Sequence, residues 1–222
     1  MSNGEATRSG RIVGAVLVVG GGIGGIQTSL DLADSGFKGY LAESLPSIGG
    51  VMSQLDKTFP TNDCSMCIVS PKLVECGRHL NIDILTCTEV ADVSGEAGDF
   101  RVGLNRRARY IDVDRCTGCA VCARSCPVSA VDTFNQGLGQ RTAAYINYPQ
   151  AVPLAYSIDQ EKCVGCGLCA NLCLANAVRY DDQPARIELD VGAIVVAPGF
   201  EPFDAHLRAE YGYGRFPNVV TS

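Results

Sequence analysis

Eight of the twelve cysteines in this chain fall in two short runs, "CTGCAVCARSCP" at 116–127 and "CVGCGLCANLCL" at 163–174, and any fold must accommodate them. Both read Cys-x-x-Cys-x-x-Cys-x-x-x-Cys: Cys116, Cys119, Cys122 and Cys126, then Cys163, Cys166, Cys169 and Cys173. An iron–sulfur cube needs thiolates converging from several directions. A tight loop with a cysteine at every third residue wraps three of its corners and leaves the fourth ligand to come from elsewhere. Structural zinc more often uses two Cys-x-x-Cys pairs set well apart.

The runs are also an internal repeat. "IDVDRCTGCAVCARSCPVSAV" and "IDQEKCVGCGLCANLCLANAV" share the Ile-Asp lead-in, the glycine before the second cysteine, the alanine after the third and a closing Ala-Val. A duplicated half-module with pseudo-two-fold symmetry follows. In two-cluster ferredoxins the last cysteine of each run ligates the other cluster. On that pattern one [4Fe-4S] cluster takes Cys116, Cys119, Cys122 and Cys173, and the other takes Cys163, Cys166, Cys169 and Cys126. The first run ends Cys126-Pro127, as bacterial-type ferredoxins do, whereas the second ends Cys173-Leu174. That departure touches the local turn rather than the ligands.

Twelve thiols suit a reducing compartment, where metal ligation or redox chemistry explains them better than disulfides. The polar start "MSNGEATRSGR" and the short apolar run after it form neither a secretory signal nor a membrane span, so a cytoplasmic location is expected. The net charge of −6 is spread without basic clusters, which argues against nucleic-acid partners.

The first half has its own signature. "GAVLVVGGGIGGIQTSLDLADSGFKGYLAES" predicts a buried strand over 16–19, a glycine turn, a helix from Gly25 to Ser35 with Gly36 as its C-cap, and a second strand ending at Glu43. Gly20-x-Gly22-x-x-Gly25, in the segment Gly20, Gly21, Gly22, Ile23, Gly24 and Gly25, lets the backbone turn sharply, approach a pyrophosphate and present free helix amides to it. Glu43 stands where an acid binds ribose hydroxyls and repels a 2′-phosphate, which disfavours NADP. Gly49 and Gly50 offer a second close backbone approach. Such a pair resembles flavin enzymes of the two-dinucleotide-domain type and favours FAD over NAD.

Residues 81–110 predict a strand and then a hairpin turning at "SGEAGD", and 186–200 predict a strand pair ending in Ala-Pro-Gly, a turn resembling the one that returns flavoprotein chains to their nucleotide-binding sheet. Of the other cysteines, Cys64-x-x-Cys67 suits either a redox dithiol or part of a further metal site. Cys76 and Cys87 read as core thiols. His79 and His206 lie in no ligand spacing, and Lys57 reads as a surface lysine that could otherwise tune a flavin by its charge. No nucleophile with a base and no paired carboxylates present themselves, so no side chain is assigned as catalytic.

The stretches "GGGIGGIQTSLDLADSGFK", "PSIGGVMSQLDKTFPTNDCSMC", "SPKLVECGRH" and the ferredoxin runs joined by "FNQGLGQRTAAYINYPQAVPLAY" resemble the A subunit of CoB–CoM heterodisulfide reductase and its bacterial relatives. The resemblance implies an α/β protein: an FAD-binding, thioredoxin-reductase-like domain over 12–108, an inserted α+β ferredoxin domain with two [4Fe-4S] clusters over 109–184, and a return segment over 185–222. It implies a two-electron to one-electron converter in a soluble complex, fed by a hydrogenase- or formate dehydrogenase-type donor. Electrons pass to ferredoxin and to disulfide-reducing subunits, with bifurcation among its modes. The disulfide-reducing site is implied to lie on another subunit. Members of that family continue well beyond "FPNVVTS", so a fragment with weakened FAD affinity is expected. The alternatives are an NAD(P)H-dependent flavoprotein reductase subunit of the glutamate-synthase small-subunit type and a ferredoxin-type carrier without flavin.

Overall fold

A computed structural model describes residues 12–200 and 203–221. The polar segment read as lacking a leader, 1–11, lies outside the described residues, as do 201, 202 and 222 of the return segment.

The chain opens with β1 (Ala15–Val19), five apolar residues, then α1 (Ile23–Asp34) and β2 (Lys38–Ala42). α1 begins two residues earlier than the pattern predicts. It buries Gly25, Ile26, Ser29, Leu30 and Ala33, a stripe at helical spacing. Gly36 stands one residue past the cap at Ser35, with φ +88°, and its N–H donates to the Ala33 carbonyl at 3.0 Å. A short hairpin of two-residue strands, β3 (Lys57–Thr58) with β4 (Asp63–Cys64), leads into α2 (Ser65–Arg78) and β5 (Ile82–Leu85). β6 (Thr88–Glu96) and β7 (Asp99–Arg106) follow as a hairpin. Its strands run on into the predicted turn, with Glu96 opposite Asp99, so the turn narrows to Ala97 and Gly98.

The cysteine-bearing region holds short pieces: α3 (Val121–Arg124), β8 (Ala130–Val131), β9 (Gln140–Arg141), β10 (Ala144–Tyr145), β11 (Ser157–Ile158) and α4 (Leu168–Asn171). β12 (Ala185–Val191) and β13 (Ala193–Val196) close the order. These last two do not pair with each other as expected. β12 joins β7 antiparallel, with Ala185 opposite Arg106, while β13 joins β1 parallel. Gly192 makes the switch, and a Cβ there would collide with the Val13 carbonyl.

The result is a four-stranded parallel sheet in the order β13-β1-β2-β5, backed on one face by helices and on the other by the antiparallel sheet β12-β7-β6. β1 shows why. Val16 and Val18 pack with Ile26, Leu30, Val69 and Leu73 of the helices, while Ala15 and Leu17 pack with Val102, Leu104 and Val191 of the antiparallel layer. A strand covered on both faces must be apolar throughout, which is what the sequence supplies. Each fully buried leucine or isoleucine here, such as Leu17, Leu41 or Ile26, contributes about 2 kcal/mol of burial. A separate small core gathers Ile111, Ala144, Tyr156, Ile158 and Ala177 beneath the thiols.

Candidate cofactor sites

The carboxyl ends of β1 and β2 converge on the glycine turn. Gly20, with φ +106°, leaves β1 in a conformation that L side chains rarely adopt, and its N–H donates to the Ala42 carbonyl at 2.8 Å. A Cβ on Gly25 would collide with the Gly20 carbonyl, so the close packing of helix on strand depends on glycine at both ends of the turn. Gly22 is the N-cap of α1 and brings no side chain to it, no acid occupies the first turn, and Gly24 faces open space. The helix amides are therefore left for an external anion.

Glu43 is buried at the end of β2. It accepts from the Gly21 N–H at 2.7 Å, the Leu45 N–H at 2.8 Å and the Ser44 hydroxyl at 3.2 Å. Oε1 takes two of these bonds and Oε2 one, so Oε2 keeps an acceptor site free. Gly49 and Gly50 abut the same turn: Gly49 N–H donates to Gly21 O at 2.7 Å, and a Cβ on Gly50 would come within 2.7 Å of the Gly22 Cα. The glycine turn and the Gly49–Gly50 pair thus abut as one backbone cradle, in which an added Cβ would collide at Gly20, Gly21, Gly25, Gly49 and Gly50 but not at Gly22 or Gly24. Its free amides and ribose-side acid fit a dinucleotide.

The two cysteine runs fold alike. Gly118 and Ala120 take φ +69° and +65°, and their counterparts 47 residues on, Gly165 and Gly167, take +68° and +75°. Ala120 and Gly167 then cap α3 and α4, whose single turns bring the third and fourth cysteines round. Cys126 lines one hollow together with Cys163, Cys166 and Cys169, walled by Val128, Ala144, Ile158 and Tyr180. This joins the last thiol of the first run to the first three of the second. Cys116, Cys122 and Cys173 pack against the small core beneath, with Cys163 and Cys169. Thiolates are the ligands an iron–sulfur cube takes, and these four line one hollow, although no group of three or more His, Cys, Asp or Glu among the described residues is drawn together closely enough to hold a single metal ion.

The thiols carry opposed electrostatics. Burial, and then the neighbouring sulfurs of Cys116, Cys169 and Cys119, push Cys122 up to about 11. Backbone donation from Val121 holds Cys119 below the ordinary cysteine range. Main-chain N–H groups reach other sulfurs, Ala177 to Cys173 at 3.3 Å and Gly165 to Cys163 at 3.4 Å, of the kind that tunes a bound cluster. The Tyr180 hydroxyl stands 3.0 Å from Cys169 Sγ. Sequence reading passed over Tyr180. Its counterpart across the repeat is Thr133, so comparing the two halves would have exposed it.

The glycine cradle and the thiol region are tied together. Ile48 N–H donates to Val152 O at 2.9 Å, the Tyr148 hydroxyl donates to Ile48 O, and Asn147 Nδ2 donates to Ser47 Oγ at 3.2 Å. Arg109, also unmarked by any motif, reaches Pro46, Thr86, Ala155 and Tyr156 at once. A cleft of about 1020 Å³ opens beside this junction, lined by β5, Arg78, Arg106, Arg107 and residues 149–154, and touches none of the cradle glycines or run cysteines. Cys76 and Cys87 are buried, whereas Cys64 and Cys67 are exposed. His79 pairs with Asp34 at 3.4 Å, His206 is exposed beside Asp204, and Lys57 is an exposed residue opposite Cys64 in the β3–β4 hairpin.

No helix among the described residues is long and apolar enough to cross a membrane. Residues 115–177 match the family model described as "4Fe-4S dicluster domain". The chain is 52% identical over 205 residues to the A subunit of H(2):CoB-CoM heterodisulfide,ferredoxin reductase from Methanothermobacter thermautotrophicus, covering 92% of this chain and 31% of that protein. It is 53% identical over 218 residues to an iron-sulfur A subunit of CoB–CoM heterodisulfide reductase from Methanopyrus kandleri, covering 97% and 33%. Among solved structures, L-proline dehydrogenase from P. horikoshii aligns with a TM-score of 0.38 and 27% identity over 43% of this chain and 19% of that one. The flavoprotein disulfide reductase RclA from Escherichia coli aligns at 0.32 and 12% over 90% and 24%. The chain spans about a third of the length of these curated relatives. Over the third that it spans, the chain is similar to the A subunits of the CoB–CoM heterodisulfide reductases, at 52–53% identity.

Proposed function

We propose that this chain is the flavin and iron–sulfur electron-transfer segment of a heterodisulfide reductase-like oxidoreductase. In this reading FAD lies on the cradle of Gly20 to Gly25, Gly49 and Gly50, with Glu43 at the ribose. A ferredoxin domain over 109–184, inserted into the flavin domain of 12–108 and 185–222, carries two [4Fe-4S] clusters. One takes Cys116, Cys119, Cys122 and Cys173 and the other Cys163, Cys166, Cys169 and Cys126. When bound, FAD handles electrons in pairs and each cluster handles them singly, so the segment converts one regime to the other.

The chain's own groups set the conditions for that traffic. The open start of α1 would receive the pyrophosphate charge and Glu43 would orient the ribose, while the bonds of Ile48 and Ser47 to Val152 and Asn147 between the cysteine runs, and of Pro46 to Arg109, hold the cradle at a fixed separation from the thiols. The N–H groups directed at Cys163 and Cys173 lower the electron density on those sulfurs, and the Tyr180 hydroxyl stands against Cys169. The observation that carries the reading is the hollow shared by Cys126 and the first three cysteines of the second run.

The partners we assign are the remaining members of a soluble complex: disulfide-reducing subunits, a donor of the hydrogenase or formate dehydrogenase type, and ferredoxin. Names of relatives that pair heterodisulfide with ferredoxin support a splitting of electron pairs between two acceptors. Anaerobic reconstitution of the full chain tests this. About eight irons and as many sulfides per chain are expected, two interacting paramagnets on reduction, and quenching of FAD fluorescence on titration. Protein that holds neither iron nor FAD would refute it. Iron without flavin would leave a ferredoxin-type carrier.

A further inference from the structure

Cys64 and Cys67 stand apart from the chain's other spare thiols. Cys76 and Cys87 are buried, as a small apolar filler is, whereas Cys64 and Cys67 are both exposed and so serve no core. Their position is specific. Cys64 is the N-cap of the 14-residue helix α2, and its sulfur accepts the Cys67 N–H at 3.2 Å. With one sulfur already at the main chain of the other cysteine, rotation about side-chain bonds brings the two together.

The helix start is held in place from outside. Ser65 Oγ donates to Met52 O at 2.6 Å, Ser65 N–H donates to Asp56 O at 3.1 Å, and Cys64 is paired with Lys57 across the β3–β4 hairpin. The partial positive charge of the α2 N-terminus favours a thiolate at Cys64, against the opposing charge of Asp56. The two sulfurs are polarised in opposite senses. Pairing with the Cys67 thiol, followed by the Cys67 N–H, holds Cys64 below the ordinary cysteine range, and the same pairing holds Cys67 above it. β1, β2 and β5 are parallel, so α1 and α2 both run back against them and start at the same carboxyl edge of the sheet. The dithiol therefore sits at the edge that carries the glycine turn.

We propose that Cys64 and Cys67 form a thiol–disulfide redox centre that exchanges with exposed disulfides, with Cys64 attacking and Cys67 resolving. The Cys64 thiolate attacks one sulfur of R–S–S–R′, that bond breaks, and R′–S⁻ leaves and takes a proton. Cys67 then loses its proton to solvent and attacks Cys64 Sγ, expelling R–S⁻. The pair gives up two electrons, the substrate becomes two thiols, and no further reductant enters. This proposal stands independently of the FAD and cluster assignments.

The full chain, reduced anaerobically and then exposed to oxidised glutathione, tests it by peptide mass spectrometry. Tryptic peptide 58–72 carries both sulfurs and no other cysteine. Wild-type peptide is expected lighter by two hydrogens and free of glutathione. Cys67→Ser is expected to trap glutathione on Cys64, at least about tenfold faster than Cys64→Ser traps it on Cys67. Wild-type peptide that stays a dithiol, or equal trapping in the two variants, would overturn the proposal. So would iron and sulfide beyond two cubes that disappear in either variant, since the thiols would then be ligands of a further cluster.

Discussion

At position 109 a guanidinium lies 6% exposed, and its donors go to oxygens other than carboxylates: Nε to Tyr156 O at 2.9 Å, Nη1 to Pro46 O at 2.7 Å and Thr86 Oγ1 at 3.2 Å, Nη2 to Ala155 O at 2.5 Å. Burial is the main influence pulling its pKa down, and the group is kept in place by acceptors from three separate stretches of chain. Arg109→Met would leave three main-chain carbonyls without donors, at roughly 1–3 kcal/mol each before relaxation. The expected loss is about 3 kcal/mol or more, read as a lower urea midpoint for the full chain, with Arg109→Lys in between. A Met variant that unfolds at the wild-type midpoint would show that the staple contributes nothing. Arg109 was illegible in "NRRARY", where it looks like its neighbours, because its partners come from positions 46, 86, 155 and 156. Glu43 was legible because motif spacing names it. Its bond to the Gly21 amide was not, since the spacing carries no information about how the turn closes on the acid.

Among the elements, the repeat makes its own control. Ala120 and Gly167 occupy equivalent N-caps in left-handed backbone, and a Cβ added at Gly167 meets nothing within 4 Å. A side chain at Gly167 would therefore add backbone strain and no packing, a net cost of about 1 kcal/mol, whereas the Ala120 side chain packs against the small core. Gly167→Ala is expected to lower the stability of the apo chain by about 1 kcal/mol. Ala120→Gly should lie within about 0.5 kcal/mol of wild type, because the net relief of strain is opposed by loss of the Ala120 methyl's packing on the small core. Chemical denaturation of the two variants checks this, and equal losses would contradict it. The repeat was plain in sequence, but its symmetry is only half kept. Ile111 bridges Val178 across the halves, whereas the mates of those residues, Ile158 and Val131, pair instead with Ala144 and Gln140 of the long connection. Likewise α2 was not read as a helix, because Pro71 and Gly77 interrupt it while the spacing of Val69, Leu73 and Cys76 carries its buried stripe.

For the molecule as a whole, the question is which thiols share a cube. The contacts that unite its parts span great sequence distances, such as Tyr148 on Ile48 and Asn147 on Ser47, each 100 residues apart, and no local pattern could reveal them. Crossed ligation is our proposal from the ferredoxin pattern, and it is favoured by the hollow that Cys126 lines with Cys163, Cys166 and Cys169. Single substitutions discriminate poorly, because any lost ligand damages one cube wherever it belongs. Pairs discriminate well. If Cys126 belongs with the second run, Cys126→Ser with Cys163→Ser strikes one cube twice and leaves the other intact, whereas Cys126→Ser with Cys122→Ser strikes both. The first double variant should then retain about four irons and four sulfides after anaerobic reconstitution, and the second almost none. Uncrossed ligation predicts the reverse order, with the Cys122 and Cys126 pair sparing a cube and the Cys126 and Cys163 pair sparing none. Iron analysis of the two proteins side by side therefore decides the arrangement even if each variant alone loses some stability, because the two hypotheses differ in which protein keeps its metal.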